Sequence, residues 1–277
     1  MRKIKVIASI TALAALATFA LSGCGNANGA NKNDKTITVA ATPTPHAEIL
    51  NNVVKPILKK DGYKLVVKEF TDYVQPNAAT EEGEVDANYY QHLPYLDNYN
   101  KEKGSHLISI AGIHFEPFGL YPAKTKTIKE LADGATIAVP NDPSNEARAL
   151  LLLQDAGLIK LKNPKDVKST VNDITSNPKH LKFKELDPSA VPTAIKDVDL
   201  AAMNGNYAIQ AGFNPIKDPI DSEKVGGVAA KTYENIIVVK KGSEKLAKIK
   251  ALLKALKTSA VRDYINKNYK GAVLPVF

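Results

Sequence analysis

The stretch FTDYVQPNAATEEGEVDANYYQHLPYLDNY, residues 70–99, is rich in aromatic side chains. It holds six of the 18 aromatic residues of the chain (11 Tyr and 7 Phe). Tyr73, Tyr90 and Tyr95 are interleaved with asparagine, glutamine and histidine side chains, which donate and accept hydrogen bonds. Apolar walls with a few directed polar groups are typical of a small-molecule pocket, but a core seam with a polar edge has the same composition. The stretch alone leaves both interpretations open.

The segments before this stretch predict a mixed α/β fold. Residues 35–41 (KTITVAA) are rich in β-branched side chains and predict a strand, and residues 46–60 have the apolar periodicity of a helix. Residues 63–70 (YKLVVKEF) predict the next strand. A strand, a helix and a second strand form a βαβ unit, which implies a parallel sheet.

A second α/β cycle follows. The predicted strand ATIAV, residues 135–139, runs directly into PNDPSNE, residues 140–146, where Asn and Asp are suited to cap a helix and Pro to its first turn. Two similar cycles predict two lobes, which we assign to residues 35–123 with 232–277 and to residues 124–231. In such sheets ligands bind beyond the carboxyl ends of the strands.

The N-terminus has the pattern of an export signal. The basic start MRKIK is followed by an apolar run, residues 6–21, that ends in Leu-Ser-Gly-Cys24. This run is too short and too rich in Ala and Thr for a membrane-spanning helix, which needs about 20 apolar residues. We therefore predict a signal peptide over residues 1–23 and a lipoprotein cleavage site before Cys24.

Cys24 is the only cysteine of the chain. A single cysteine in an exported protein is either a buried or dimerising thiol or, at this position, the acylated residue of a lipoprotein. The residues after it are small and polar, so residues 24–34 are predicted to be a lipidated tether. The expected location is the extracytoplasmic face of the cell membrane.

The charge of the chain argues against nucleic acid as a partner. The formal net charge is +8, and +5 remains after Arg2, Lys3 and Lys5 leave with the signal peptide. The other lysines are spread along the chain and alternate with acidic residues. A nucleic-acid interface would instead concentrate its basic residues on one element.

Arg148 is one of three arginines in a chain with 34 lysines. It lies in the first turns of the helix predicted after residue 146, where free N–H groups and the helix dipole favour an anion. A guanidinium binds a carboxylate through two parallel hydrogen bonds, which lysine does not. The alternative is a surface residue paired with Glu146 or Asp155.

The sequence contains no recognisable catalytic, cofactor or metal motif. None of its five histidines forms a close pair such as His-x-x-x-His, although a zinc site built from distant residues stays open. No nucleophile elbow, phosphate loop or dinucleotide fingerprint occurs. We therefore expect a protein that is not an enzyme and that has no cofactor and no metal.

Several segments, taken together, resemble one known family. They are FTDYVQPN (70–77), DANYYQHLPYL (86–96), IHFEPFGLYP (113–122), VPNDPSNEARALLLL (139–153), TVNDITSNPKHLKF (170–183), MNGNYA (203–208) and YENIIVVK (233–240). In this order they resemble the methionine-binding lipoproteins of bacterial ABC importers, the NlpA/MetQ family. The resemblance runs from about Thr36 to the C-terminus.

The resemblance implies a two-lobed fold of the type II periplasmic-binding-protein class, with a ligand cleft between the lobes. Such a protein closes around one amino acid, here L-methionine, and delivers it to a membrane permease with a cytoplasmic ATPase. The implied ligand residues are Tyr73, Tyr90, His92 and Tyr95 around the thioether side chain, Arg148 as the carboxylate clamp, and Asn204, Asn206 and Asn235 as amide groups for the polar ends.

One residue departs from the family pattern. Tyr90 stands where many relatives have Phe before Gln-His, and its hydroxyl makes the side-chain pocket more polar or smaller. Two alternatives follow for the function: a binder of methionine-containing dipeptides with the same fold, or a tethered surface adhesin without a small ligand.

Cys24→Ala is expected to abolish lipidation. A diacylglyceryl group on Cys24 adds two acyl chains, each contributing about 0.8 kcal/mol of membrane affinity per buried CH₂. The variant should be neither cleaved at this site nor labelled by radioactive palmitate when the protein is produced in bacteria. Undiminished label on the variant would contradict the predicted anchor.

Overall fold

The computed structural model describes residues 35–277, whose strands form a six-stranded sheet, a five-stranded sheet and one small two-stranded sheet. The predicted signal peptide, Cys24 and the tether lie outside these residues. No helix within the described residues has the length and apolar character needed to cross a membrane.

The six-stranded sheet is the centre of the first lobe. Its strands, in spatial order, are β13 (Leu274–Pro275), β4 (Leu107–Phe115), β12 (Asn235–Lys240), β3 (Ala87–His92), β1 (Thr36–Ala41) and β2 (Lys64–Glu69). Strand β1 runs parallel to β2 and β3, as the βαβ pattern predicts. Strand β12 runs antiparallel to β3 and β4, so the sheet is mixed.

The five-stranded sheet is the centre of the second lobe. Its strands, in spatial order, are β11 (Asp221–Ser222), β5 (Gly119–Pro122), β10 (Leu200–Met203), β6 (Thr136–Pro140) and β9 (Lys182–Leu186). Strand β6 is parallel to β9 and β10, and β5 is antiparallel to β10 and β11. Strands β7 (Lys160–Leu161) and β8 (Ile174–Ser176) pair separately.

Eight α-helices lie among the described residues. They are α1 (Lys55–Lys60), α2 (Gln75–Glu82), α3 (Leu93–Lys103), α4 (Pro143–Asp155), α5 (Gly205–Gln210), α6 (Val228–Thr232), α7 (Ala247–Leu256) and α8 (Ser259–Tyr269). The helix predicted over residues 46–60 ends in α1, and the turns at Leu50–Val54 before α1 are wider, π-helical turns. Pro43–Ala47 is not helical throughout, because the backbone of Thr44 is extended.

The chain passes from the first sheet to the second through residues 116–118 and returns between β11 and β12. Strand β5 follows the first passage at once and hydrogen-bonds to β10 and β11. Residues 119–122 therefore belong to the second sheet, although the predicted first lobe extended to residue 123. The predicted two-lobed α/β fold class is confirmed, and the lobe bounds stay a prediction.

Each large sheet has its own apolar core. In the first lobe, Ile37 and Val39 of β1 pack with Leu252 and Leu256 of α7. In the second lobe, β6 packs against Leu150 and other leucines of α4. Apolar residues three or four positions apart on α4 and α7 form one face of each helix, which is the face that the sheet covers.

Ile37→Ala is expected to lower the free energy of unfolding by about 2–5 kcal/mol, because it leaves a cavity in a core that does not collapse fully. Ile37 of β1 is completely buried in the core of the first lobe. Guanidinium unfolding measures the change. Val228→Ala is the control, since Val228 is 84% exposed and should change stability by less than about 0.5 kcal/mol. Equal effects of the two variants would contradict the assignment of this core.

Candidate functional site

One cavity is lined by side chains from both lobes. It is small and partly open to solvent. The lining residues are Tyr73, Tyr90, Gln91, His92, Tyr95, Glu116, Asn145, Arg148, Asn204, Gly205, Asn206 and Asn235. All eight residues that the sequence predicted for the ligand lie together here, and their roles toward a ligand stay a prediction. Gln91, Glu116, Asn145 and Gly205 complete the lining and were not among the eight predicted ligand residues.

A β-bulge at Tyr90 directs three consecutive residues toward the cavity. Tyr89 and Gln91 of β3 pair with consecutive residues of β12, so Tyr90 between them has no ladder partner. A bulge interrupts the alternation of side chains along a strand. Tyr90, Gln91 and His92 can therefore all line the same cavity, which a regular strand would not allow.

The aromatic wall consists mainly of three tyrosines of the first lobe. The ring centroids of Tyr73, Tyr90 and Tyr95 lie 5.7 to 6.1 Å apart. Tyr207 of α5 stacks on Tyr73 at 4.9 Å and donates its hydroxyl to the backbone oxygen of Thr71 at 3.0 Å. Tyr207 was not predicted, although it lies within the quoted motif MNGNYA. These contacts join the two lobes at the wall of the cavity.

Behind the wall, three amides form a closed hydrogen-bond network. Asn77 and Gln91 exchange two hydrogen bonds, of 3.0 and 2.6 Å. Gln91 also donates to Asn88 at 2.8 Å, and Asn88 donates to Asn77 at 3.0 Å. A buried network whose members are all satisfied is rigid. It therefore fixes Gln91 at the edge of the cavity.

Arg148 lies on α4 and is buried, with 3% of its surface exposed. Its Nε and Nη2 donate to the two carboxylate oxygens of Glu223 at 2.8 and 2.6 Å. Nη2 also donates to the backbone oxygen of Glu116 at 2.9 Å, and the guanidinium lies 4.3 Å from the ring centroid of Tyr233. Burial acts to lower the pKa of Arg148, but the carboxylate of Glu223 raises it above its ordinary value.

The alternative that Arg148 is a surface residue paired with Glu146 or Asp155 is wrong. Its partner is Glu223, which is 75 positions away in the sequence. Glu146 instead accepts a hydrogen bond from the backbone N–H of Val171 at 2.9 Å. Arg148 Nη1 makes no hydrogen bond to any residue in the range 35–277.

Asn145 connects the predicted residues of the two lobes. Its Oδ1 accepts from Asn204 Nδ2 at 2.8 Å and from His92 Nε2 at 3.1 Å. Its Nδ2 donates to Asp142, whose side chain also caps α4 by accepting from the Asn145 N–H at 3.0 Å. Burial and the charge of Arg148 lower the pKa of His92 to about 3, so its ring is neutral at pH 7.

His46 orients Asn235 through a chain of buried hydrogen bonds. His46 Nε2 lies 2.8 Å from Asn235 Oδ1, and because this oxygen only accepts, Nε2 is the donor. His46 Nδ1 then accepts from the Thr42 hydroxyl at 2.7 Å. Burial lowers the pKa of His46 to about 4, which keeps the ring neutral. The Asn235 amide is thereby held with its Nδ2 away from His46.

His114 orients Glu116 in the same way. His114 Nε2 donates to Glu116 Oε1 at 2.7 Å, and His114 Nδ1 pairs with the hydroxyl of Tyr89. Burial lowers the pKa of His114 to about 3. The signal for Glu116 in the sequence is its position as a lone acidic residue inside the segment HFEPFGLY, residues 114–121.

Within residues 35–277, His46, His114 and Glu116 form the group whose donor atoms are close enough to hold a metal ion, all within 4.8 Å of one another. Each ring nitrogen of the two histidines already has a hydrogen-bond partner. No orphaned atom in this group requires an ion. We therefore assign these three residues to the hydrogen-bond network of the cavity.

Three polar atoms of the cavity residues are buried without a partner among the described residues: Asn204 Oδ1, Asn206 Nδ2 and the Tyr90 hydroxyl. The amide orientations are fixed by neighbours. Asn204 donates its Nδ2 to Asn145, and Asn206 Oδ1 accepts from the Tyr73 hydroxyl at 2.6 Å. Buried polar groups rarely lack a partner. The site thus presents one acceptor and, with Arg148 Nη1, two directed donors for a bound molecule.

Comparison with known proteins gives consistent matches along the described residues. The model of the NlpA lipoprotein family matches residues 37–277. The methionine-binding lipoprotein MetQ of Bacillus subtilis is 45% identical over 260 residues, 92% of this chain and 93% of the relative. The D-methionine-binding lipoprotein MetQ of Escherichia coli is 36% identical, with 98% of each chain covered.

A solved structure has the same fold. It is a nutrient-binding protein from Burkholderia cenocepacia bound to methionine, with a TM-score of 0.82 and 42% identity. The match covers 87% of this chain and all of the other.

Stability is expected to fall as the pH is lowered from 6.5 toward 4. His46, His92 and His114 have folded-state pKa values of about 4, 3 and 3, below the ordinary 6.5. Below pH 6.5 the unfolded chain therefore binds protons that the folded chain does not. Each histidine can lower the free energy of unfolding by up to about 1.4 kcal/mol per pH unit.

Guanidinium unfolding at pH 6.5 and pH 5 measures this slope in the wild type and in His92→Gln. The raised pKa of Glu116 acts in the opposite direction, so the difference in slope between the variants is the informative quantity. His92→Gln should have a shallower slope. His180→Asn is the control, since His180 is exposed and has a positive φ that Asn tolerates. An unchanged slope in His92→Gln would contradict the prediction.

Proposed function

The chain belongs to the NlpA lipoprotein family, and from this premise we propose that it is the lipid-anchored substrate-binding protein of an ABC importer. It binds L-methionine, or a closely related amino acid, in the cleft between its lobes and delivers it to a membrane permease. The permease and its ATPase follow from the family alone, and the lipid anchor rests on Cys24.

The observation that carries this proposal is the set of unpartnered polar atoms in the cavity. A free amino acid has an ammonium group that only donates and a carboxylate that only accepts. Asn204 Oδ1 is a buried acceptor without a partner, and Asn206 Nδ2 is a buried donor without one. A zwitterion satisfies both, and leaving such groups unpaired costs about 1–3 kcal/mol each.

The carboxylate is held differently from the two-bond grip that the sequence implied for Arg148. Glu223 already occupies the Nε–Nη2 edge of the guanidinium. The ligand carboxylate therefore accepts one hydrogen bond from Nη1 of Arg148 and one from the side-chain amide of Asn206. Because Glu223 neutralises Arg148, the site suits a ligand that carries both charges better than a simple anion.

The thioether side chain of methionine lies against Tyr73, Tyr90 and Tyr95. Sulfur–aromatic contacts contribute roughly 0.3–1.5 kcal/mol each, and an unbranched chain adapts to the ring faces. The unpartnered hydroxyl of Tyr90 also favours a ligand whose side chain contains sulfur. A thioether is a weak hydrogen-bond acceptor, whereas the methylene of norleucine is not.

The ligand is expected to stabilise the protein against heat. After unfolding and refolding to remove any bound ligand, L-methionine should stabilise the folded state by about 2.7 kcal/mol at a hundredfold excess over Kd. Norleucine should bind more weakly, because it lacks the sulfur. D-methionine should be weaker still, because both polar ends are held in fixed geometry. The Escherichia coli relative is named for D-methionine, which makes this comparison a demanding one.

Tyr90→Phe is the matched variant for the ligand series. It removes one unpartnered hydroxyl, so the melting temperature without ligand should not fall, while the preference for methionine over norleucine should shrink. Isothermal titration measures both ligands. Tighter binding of glycyl-methionine than of methionine would indicate a dipeptide site. If no amino acid or short peptide gives a measurable heat of binding, the adhesin is favoured instead.

A further inference from the structure

Glu116 is a buried carboxylate at the passage between the two lobes. It is the first residue after β4, lines the cavity and is 4% exposed. Its Oε1 accepts from His114 Nε2 at 2.7 Å and lies 3.5 Å from His46 Nε2. The N–H of His114 thus points at this side chain, and the ring of His46 lies beside it.

No cation within residues 35–277 forms an ion pair with this carboxylate. His46 and His114 are neutral at pH 7, since burial lowers their pKa values to about 4 and 3. The guanidinium of Arg148 contacts only the backbone oxygen of Glu116 and pairs with Glu223. A buried charge without a counter-ion is strongly unfavourable, so the site favours a ligand that brings a positive charge.

The carboxylate lies against the residue that follows Asn204 in the sequence. A Cβ atom on Gly205 would stand 2.8 Å from Glu116 Cβ and 3.0 Å from Glu116 Oε2, so only glycine leaves room for the side chain. The residue before Gly205 is Asn204, whose Oδ1 has no partner. Two acceptors, one of them a carboxylate, therefore line the cavity near the start of α5. An ammonium group with three N–H donors matches this pair.

We propose that Glu116 is the anionic partner of the ligand's protonated amino group, and that His114 is the positioning residue that orients its carboxylate. The inference rests on the proposed function and specifies the substrate class. The protein selects free α-amino acids whose amine is protonated and unacylated. Ligands that lack the amine, or in which an acyl group removes its charge, leave Glu116 without a counter-ion and are rejected.

The pH dependence of binding follows from the groups around Glu116. They are His114 from β4, His46 from the turn after β1, and Arg148 from α4 with its partner Glu223. Burial raises the pKa of Glu116, and protonation removes its attraction for ammonium. Affinity should therefore decrease as the pH falls through that pKa. Protonation of His46 and His114, at about pH 4 and 3, repels ammonium as well and adds to the decrease.

The test compares two ligands on two proteins by isothermal titration. The ligands are L-methionine and 4-(methylsulfanyl)butanoate, which is methionine without its amino group. Glu116→Gln should lower the affinity for L-methionine by about 30-fold or more, which is the effect typical of removing one partner of a buried charge pair. The variant should bind the analogue as well as the wild type does, or better. Its affinity for L-methionine should also lose the part of the acid-side pH dependence that comes from protonation of Glu116.

Gly205→Ala is a second variant, in case Glu116→Gln does not fold. It keeps every charged group and displaces the Glu116 carboxylate, so it should lower the affinity for L-methionine more than the affinity for the analogue. Glu130→Gln is the control, since Glu130 is exposed in the second lobe and should leave both affinities unchanged. Melting curves verify that each variant is folded.

Two results would overturn the inference. An equal loss for both ligands in Glu116→Gln would assign Glu116 a purely structural role, and an unchanged affinity for L-methionine would remove it from the site. In both cases binding of L-methionine by the wild type would still support the proposed function. If the wild type binds neither ligand, the proposed function fails and this inference fails with it.

Discussion

A buried guanidinium is stable only where a carboxylate neutralises it, and the cavity is built on one such pair. Arg148 and Glu223 meet through two short hydrogen bonds, and Glu223 also accepts the backbone N–H of Phe118 in the passage between the lobes. The pair therefore ties α4 and the segment after β11 to that passage. Because its charges cancel, Glu116 is the carboxylate that stays without a cationic partner among the residues that line the cavity.

The two lobes contribute different chemistry to the cavity. The first lobe supplies the aromatic wall from the loop after β2, from β3 and from the first turn of α3. The second lobe supplies most of the amides and the guanidinium from the N-terminal parts of α4 and α5. Asn145 and Tyr73 connect the two sets by hydrogen bonds to His92 and Asn206. Side chains joined in this way are held in position before a ligand arrives, which reduces the entropy lost on binding.

Buried histidines recur in this network as neutral hydrogen-bond donors. Each uses Nε2 to orient a residue of the cavity: His46 orients Asn235, His92 contacts Asn145 and His114 orients Glu116. A neutral imidazole donates one directed hydrogen bond without adding a charge. The site therefore combines strong orientation with a low net charge, at the expense of stability in acid.

Local sequence patterns determined the α/β class, the strand β1, the capped start of α4 and, through the family motifs, the eight predicted cavity residues. They did so because strand alternation, helix capping and motif spacing depend on neighbours along the chain. Only the tertiary structure decided the partner of Arg148, the bulge at Tyr90, the place of Glu116 and the sheet to which β5 belongs. Those features depend on residues such as Glu223, 75 positions from Arg148, that meet only after the two sheets have formed. The physical reason is that a buried charge or amide takes its partner from whichever element packs against it, and packing is a property of the whole fold.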